Sequence, residues 1–160
     1  MRRLLPVLLV ALVLTPAALA ANFTFSVVTS SPVTLPTVTL DGDDQSQTFT
    51  VTGEIANSGH AGWKIQASAG APASGSAALP ALQATAGSWR CVSGCPSNPL
   101  PSGLTYPMTL SSTPQTIYNA DDGTGRGTFD ITSTFLISYP ASATAGTYTS
   151  TIVLSGSTGP

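Results

Sequence analysis

Charged side chains are scarce in this chain. Its 160 residues include five Lys or Arg and seven Asp or Glu, together only 8% of the sequence. Nucleic acids and anionic lipid surfaces are bound by clustered Lys and Arg, so the composition argues against both classes of partner. Serine, threonine, alanine and glycine fill the positions that charged residues usually occupy. Such a polar, nearly uncharged surface does not exclude a neutral polymer such as a glycan.

Histidine and cysteine are also few, which limits the chemistry available. His60 is the single histidine, so Ser/His/Asp catalysis and zinc binding both lack partners. We therefore predict a protein that is not an enzyme and that uses no metal or cofactor. Cys91 and Cys95 are the two cysteines, and in a secreted domain such a pair is predicted to form a disulfide. The short loop places its stabilisation at the low end of about 2–4 kcal/mol.

Five of the seven acidic residues lie in two short segments. Asp41, Asp43 and Asp44 lie in the first, and Asp121 and Asp122 in the second. Turn formation is the favoured interpretation, because Asp is a common turn residue and the twelve-residue calcium-loop pattern is absent. Calcium binding at the first segment stays open as an alternative. A glycosidase, which needs two acids facing one cleft, is disfavoured.

The first twenty residues have the pattern of a secretory signal peptide. A basic start, Met1-Arg2-Arg3, precedes the almost wholly apolar run from Leu4 to Leu14, and Ala18-Leu19-Ala20 supplies small residues for cleavage after Ala20. The apolar run is shorter than the roughly 20 residues that span a bilayer. We predict a signal peptide over residues 1–20 and a single domain over residues 21–160. The mature protein is expected outside the cell or on its surface, with no transmembrane segment.

Apolar residues recur at every second position along the chain, and no segment shows the helical period. The best example follows the turn Gly59–Gly62, where Trp63, Ile65, Ala67 and Ala69 would share one face of a strand. A tryptophan needs neighbouring strands to cover about 200 Å² of surface. Trp63 is therefore predicted to lie at the centre of the core.

Further strands are predicted at both ends of the chain. Asn22–Val27 alternates polar and apolar residues, and Thr37–Leu40 is predicted to pair through the Asp turn with a strand running from Phe49 to Ile55. Gly70–Ser88 is expected to be irregular, with at most one short strand. The later predicted strands are Gly103–Leu110, Thr116–Tyr118, Phe129–Tyr139 and Thr149–Leu154. About eight or nine short strands predict an all-β, immunoglobulin-like β-sandwich, and Gly146-Thr147-Tyr148 before the last strand is typical of a tyrosine corner.

Three aromatic residues are candidates for contact with a glycan. Trp89, Tyr106 and Tyr118 lie in or beside polar segments, and an aromatic face can stack on a sugar ring. Burial in the core is the alternative for each of them, because tryptophan and tyrosine are usually well buried.

Four segments, in the same order, resemble the WxL-type surface domains of bacteria: Thr37–Gln45, Gly62-Trp63-Lys64-Ile65, Gly125–Phe129, and the run from Pro140 to Thr151. The resemblance implies a secreted β-rich protein that associates non-covalently with the cell wall, with Trp63, Ile65, Gly146 and Tyr148 as motif or core residues. Isoleucine replaces leucine in the first Trp-x-Leu motif. The second motif is absent, since the last strand reads Thr151-Ile152-Val153-Leu154. A sortase-type sorting signal is also absent.

Two functional predictions follow. The first is a non-enzymatic secreted surface protein that associates non-covalently with the bacterial cell envelope, its partners being a cell-wall polymer or other envelope proteins. The alternative is a self-assembling pilus-type or surface-layer subunit, whose partner is itself. In that case the alternating segment Asn22–Val28 would add a strand to the next copy.

Overall fold

The fold is built from β-strands. The computed structural model describes residues 3–4, 8–14, 22–95 and 104–159, and none of them lies in a helix. Its strands are β1 (Arg3–Leu4), β2 (Leu8–Leu14), β3 (Phe23–Val27), β4 (Val33–Leu35), β5 (Thr39–Leu40), β6 (Gln45–Asn57), β7 (Trp63–Ala69), β8 (Ala73–Ser74), β9 (Ala77–Ala78), β10 (Gln83–Ser93), β11 (Met108–Thr109), β12 (Gln115–Ala120), β13 (Gly127–Tyr139) and β14 (Thr149–Thr158). The fourteen strands within these ranges exceed the eight or nine predicted, because five of them are two-residue pairings.

Two main sheets enclose the core. One has the order β11-β10-β13-β6-β3, and the other has the order β12-β7-β14-β2-β4, with β8 and β9 attached to β14. One of them curls into a half-barrel. The small strands β1 and β5 pair with each other. The predicted all-β fold is confirmed.

The longest ladder joins β13 to β6. It runs without a bulge from Gly127 opposite Asn57 to Tyr139 opposite Gln45. Alternation explains its stability, since every second residue of β13 from Phe129 to Tyr139 is buried, as the sequence predicts. Ser133 is the one polar residue on that buried face, and its hydroxyl donates a 3.3 Å hydrogen bond to the Tyr118 hydroxyl.

The predicted central strand also forms as expected. In β7 the side chains of Trp63, Ile65, Ala67 and Ala69 are all buried, with Trp63 only 1% exposed. The strand lies between β12 and β14, so both of its edges are paired. The indole packs 6.0 Å from the ring of Phe129 on the opposite sheet, which confirms Trp63 as a core residue that bridges the two sheets.

The predicted hairpin between Thr37–Leu40 and the strand beyond the Asp turn is wrong. Strand β5 pairs with β1, whereas β6 pairs with β3 along one edge and with β13 along the other. Both edges of β6 are thus occupied by long partners. The turn itself is present, because the Asp41 carboxylate accepts hydrogen bonds from the backbone of Asp43 and from the side chain of Gln45.

Two other segments differ from their predictions. Gly70–Ser88 contains β8, β9 and the first half of β10, where at most one short strand was expected. Conversely, the described part of the predicted Gly103–Leu110 strand contains only β11. Long-range pairing explains the first difference, since β10 lies along β13 from Gln83 to Ser93 with two bulges. The first half of β10 consists mainly of small residues, so it can pair with β13 although its own sequence shows no alternation of apolar and polar residues.

The predicted signal peptide contributes a strand to the larger sheet. Strand β2 runs parallel to β14, from Leu9 opposite Thr149 to Leu14 opposite Leu154, and antiparallel to β4 on its other side. Val10 is 1% exposed. The predicted cleavage site lies outside the described residues. Among those described, there is no helix of the length and apolar character required to cross a membrane.

Candidate functional site

A depression of about 430 Å³ lies on the five-stranded sheet and is the main candidate site. Its lining comes from three adjacent strands and the residue after β3. The lining residues are Val28, Thr52, Gly53, Ser88, Trp89, Arg90, Asp130, Ile131 and Thr132. In the register of the sheet, Thr132 lies opposite Thr52 on one side and Ser88 on the other. A row of three hydroxyl side chains therefore crosses the sheet.

Strand alternation places these hydroxyls on the face away from the core. Val51 and Ile131 are buried, so their neighbours Thr52 and Thr132 project to the opposite face. Thr48 and Thr50 extend the same row along β6, and Thr134 extends it along β13. The result is a row of uncharged hydrogen-bond donors and acceptors beside the depression, on a face that also carries the paired acidic residues Glu54 and Asp130.

One ion pair borders the depression. Arg90 and Asp130 lie opposite each other on β10 and β13, and Nη2 of the arginine contacts Oδ2 of the aspartate. Their side chains are 77% and 39% exposed. An exposed pair of this kind contributes little to stability, about 0–1 kcal/mol. The pair places a guanidinium and a carboxylate beside the hydroxyl row.

The structure does not bring the three aromatic candidates together on this face. Trp89 pairs with Ile131 in the register, which directs its side chain toward the core, where its ring meets Phe129 edge to face at 6.0 Å. Tyr118 is 1% exposed, so the proposed glycan contact is incorrect for this residue. Its ring fills the core because β12 packs across β10 and β13. Tyr106 is partly buried, and its hydroxyl donates to the carbonyl of Ile117.

The hydroxyls of Tyr106 and Tyr118 converge on Gly87. A Cβ at Gly87 would lie 2.6 Å from the Tyr106 oxygen and 3.0 Å from the Tyr118 oxygen. Burial raises the pKa of Tyr106 to about 12, and the neighbouring Tyr118 contributes to the same shift. Burial also raises the pKa of Tyr118, whereas the hydrogen bond from Ser133 acts in the opposite direction. This cluster joins the two sheets with neutral phenols and presents no reactive group.

The motif residues lie in two separate places. Trp63 donates its indole N–H to the carbonyl of Gly125 at 2.8 Å, and Ile65 is fully buried beside it in β7. Tyr148 donates to the carbonyl of Thr144 at 2.7 Å, while a Cβ on Gly146 would lie 2.7 Å from the Ser74 hydroxyl. All four residues therefore have packing or backbone-binding positions in the structure.

The disulfide is present as predicted. Cys91 and Cys95 are bonded, and the described cysteines include no free thiol. The bridge closes the end of β10 against the start of β13, where a Cβ on Gly127 would meet the Cys95 sulfur at 2.9 Å. A second, shallower depression of about 270 Å³ lies at this end of the sheet and includes Arg126, Ser58 and Ser93. Bonded cysteines have no nucleophilic thiolate.

In the described residues, the two acidic turns form hydrogen bonds that stabilise the local structure, and their carboxylates do not cluster into a metal site. Asp44 accepts a 2.7 Å hydrogen bond from the backbone of Ala141, which ties the turn to the end of β13. Asp121 accepts from Asn119 and from the Thr124 hydroxyl, through its carboxylate and its carbonyl respectively. Within the described ranges, no three His, Cys, Asp or Glu side chains lie close enough to hold a metal ion.

Comparison with known proteins adds no assignment: no family model, curated protein or solved structure matches this chain. The geometry is therefore the basis for a functional conclusion. The hydroxyl row was not singled out from the sequence, although its signal is visible there. Thr48-x-Thr50-x-Thr52 in one strand and Asp130-x-Thr132-x-Thr134 in another each place polar residues on the face opposite the core.

Proposed function

We propose that this chain is a secreted, non-enzymatic surface domain that associates non-covalently with a neutral glycan of the bacterial cell envelope. One observation carries the proposal: the depression crossed by the hydroxyls of Thr52, Ser88 and Thr132. Hydroxyl groups both donate and accept hydrogen bonds, which matches the hydroxyl groups of a sugar polymer. The low net charge of the chain supports the same class of ligand, since neutral polymers require no compensating charge.

The binding geometry differs from the aromatic stacking that the sequence suggested. Arg90 and Asp130 supply charged hydrogen-bonding groups at the rim, and such groups form stronger hydrogen bonds than neutral ones. An open site that makes several weak polar contacts suits a repeating polymer, where several sites are engaged together. The resemblance to WxL-type domains supports the same location, the cell envelope.

The immunoglobulin-like class of sandwich is part of this proposal. The Tyr148 hydroxyl donates to the carbonyl of Thr144, four residues upstream, just before the last strand. A tyrosine that bonds back to upstream backbone at a strand entry is a hallmark of immunoglobulin-like sandwiches. Two packed sheets with a mainly antiparallel arrangement agree with that class.

The test is sedimentation of the secreted protein with and without purified peptidoglycan. Ser88→Ala combined with Thr132→Val removes two hydroxyls from the row without adding charge, and we expect it to reduce wall-dependent pelleting about tenfold, as for the loss of roughly 1.4 kcal/mol of binding. Thr48→Val is the matched control, because Thr48 lies on the same face outside the depression. Equal pelleting of all three proteins would exclude this site, and failure of the wild type to pellet would exclude wall binding.

A further inference from the structure

An interior position of the larger sheet is occupied by a strand that cleavage of the signal peptide would remove. Strand β2 lies between β14 and β4, with Val10 opposite Ser150 on one side and Val33 on the other. The side chain of Ser31 continues the contact beyond β4, because its hydroxyl bonds to the backbone of Leu12 at 3.0 Å. Loss of residues 1–20 would leave a strand-wide gap beside β14, and β4, which within the described residues pairs only with β2, would lose its partner.

The gap would be lined by apolar core side chains, and the backbone groups of β14 and β4 that face it would lack hydrogen-bonding partners. Val10 belongs to the core, and the residues that flank β2 on the same face include Ile152, Leu154 and Leu35, which are 0%, 2% and 6% exposed. Across this position, β14 and β4 would also lose the backbone partners that β2 supplies. Buried or partly buried backbone groups without partners are costly, so such a gap favours occupation by another strand.

We propose that in the mature protein this gap receives the segment Asn22–Val28 of a second copy. The segment is uncharged and places Phe23, Phe25 and Val27 two residues apart, the spacing that β2 uses to fill the core. In its own copy it forms β3, which within the described residues pairs only with β6. Transfer to the gap gives it two hydrogen-bonded neighbours in place of one.

The geometry favours a second copy over the same copy. Only residues 29–32 separate Val28 from Val33 in the chain, so a hairpin of this segment onto its own β4 would cover the positions of Leu8 and Val10 and then turn away. The positions of Leu12 and Leu14, opposite Ile152 and Leu154, would stay empty. A strand from a second copy is not restricted by the short connection of residues 29–32. It can therefore pair with β14 along the whole length that β2 occupies.

This inference rests on the secretion part of the proposed function and not on glycan binding. Mass analysis of the secreted protein comes first, and a product that retains residues 1–20 would overturn the inference. The matched comparison is the full chain carrying Ala20→Leu, which removes the small residue required for cleavage. We expect light scattering to show dimers or larger assemblies for the cleaved protein and monomers for the uncleaved chain. Monomers in both samples, or equal assembly in both, would contradict it.

Cysteine trapping identifies the strand that fills the gap. Mature copies with Thr24→Cys are mixed with differently tagged copies carrying Thr151→Cys, an exposed position on β14 opposite Ala11. The control replaces Thr151→Cys by Gln115→Cys on β12, at the far end of the same sheet. We expect at least about tenfold more disulfide-linked product for Thr151→Cys, since assembly raises the local concentration of the two thiols. Equal yields would exclude this interface.

The same trap separates the two sources of the strand. A single chain that carries both Thr24→Cys and Thr151→Cys would form an internal disulfide if its own segment entered the gap. That result, with no linkage between copies, would overturn the proposal. Ser88 and Thr132 lie outside β14, β2 and β4, but Val28 of the transferred segment lines the same depression. Wall sedimentation of Ser88→Ala with Thr132→Val is therefore compared in the uncleaved Ala20→Leu chain, where that segment keeps its place beside β6, so that the two proposals are tested separately.

Discussion

The indole N–H of Trp63 donates a 2.8 Å hydrogen bond to the carbonyl oxygen of Gly125, 62 residues further along the chain. The same oxygen accepts a 3.1 Å bond from the side-chain amide of Asn57, which is itself 3% exposed. One backbone carbonyl thus connects the first residue of β7, the last residue of β6 and the turn before β13. Strand β7 belongs to the larger sheet, whereas β6 and β13 belong to the five-stranded sheet, so both sheets meet at this point. Substitutions here are therefore expected to affect the whole domain.

Replacement of Trp63 by phenylalanine removes the indole donor and part of the ring volume. We expect the free energy of unfolding to fall by about 2–3 kcal/mol, from the lost buried hydrogen bond and the small cavity. Urea denaturation followed by circular dichroism measures it. Trp89→Phe is the comparison, because Trp89 is only partly buried, and it should have the smaller effect. Equal losses would show that the bond to Gly125 contributes nothing specific.

Gly125 is expected to tolerate no side chain. Its φ is +66°, and a Cβ would lie 2.4 Å from the Trp63 indole nitrogen. Gly123 provides a matched control in the same turn, since its φ is +79° but no atom lies within 4 Å of a Cβ. Gly123→Ala should lower stability by about 1 kcal/mol through backbone strain alone. Thermal unfolding of Gly125→Ala should show a clearly larger decrease, and equal shifts would contradict the predicted steric conflict.

Stability should decline at alkaline pH through the buried tyrosines. The pKa of Tyr106 is about 12 in the folded protein, against about 10 in an unfolded chain. Between these values the unfolded chain releases the phenolic proton while the folded protein keeps it, so the stabilisation is full below pH 10 and is lost as the pH rises toward 12. Urea titrations from pH 9 to 12 measure the decline. Tyr106→Phe should make it shallower, and an unchanged slope would exclude Tyr106 as its source.

Removal of the disulfide should have a modest and local effect. For the short loop between Cys91 and Cys95, the chain-entropy relation gives about 2 kcal/mol. We expect the variant Cys91→Ser with Cys95→Ser to lose about that much stability by urea denaturation, and the reduced wild type to match it. Hydrogen exchange should quicken at the end of β10 more than in β7. A global increase in exchange would show that the bridge supports the entire core.

Alternation made the central strands predictable. In β7 and β13 the apolar residues fall on one parity with little interruption, and each strand buries that face as expected. Trp63 and the disulfide were predictable for related reasons, because a large ring needs burial and the only two cysteines lie close together. These features depend on residues near each other in the sequence.

Features that depend on distant pairing were not predictable in this way. The Asp turn after Leu40 indicated a hairpin, but β6 pairs with β3 and β13, whose sequences lie far from that turn. The start of β10 carries Ala, Gly and Ser with almost no contrast between faces, so only its partner β13 reveals it as a strand. The hydroxyl row has the same origin, since Thr52, Ser88 and Thr132 become neighbours only through the register of three strands.

The ladder between β6 and β13 also determines when this protein can fold. Gln45 pairs with Tyr139, and Asn57 pairs with Gly127, so no part of this ladder can form until most of the chain has been synthesised. Closing such long loops carries an entropic cost before any contact compensates it, and folds rich in distant contacts form slowly, in milliseconds to seconds. The nascent chain therefore cannot close this part of its core until residues 127–139, in its final quarter, have been synthesised.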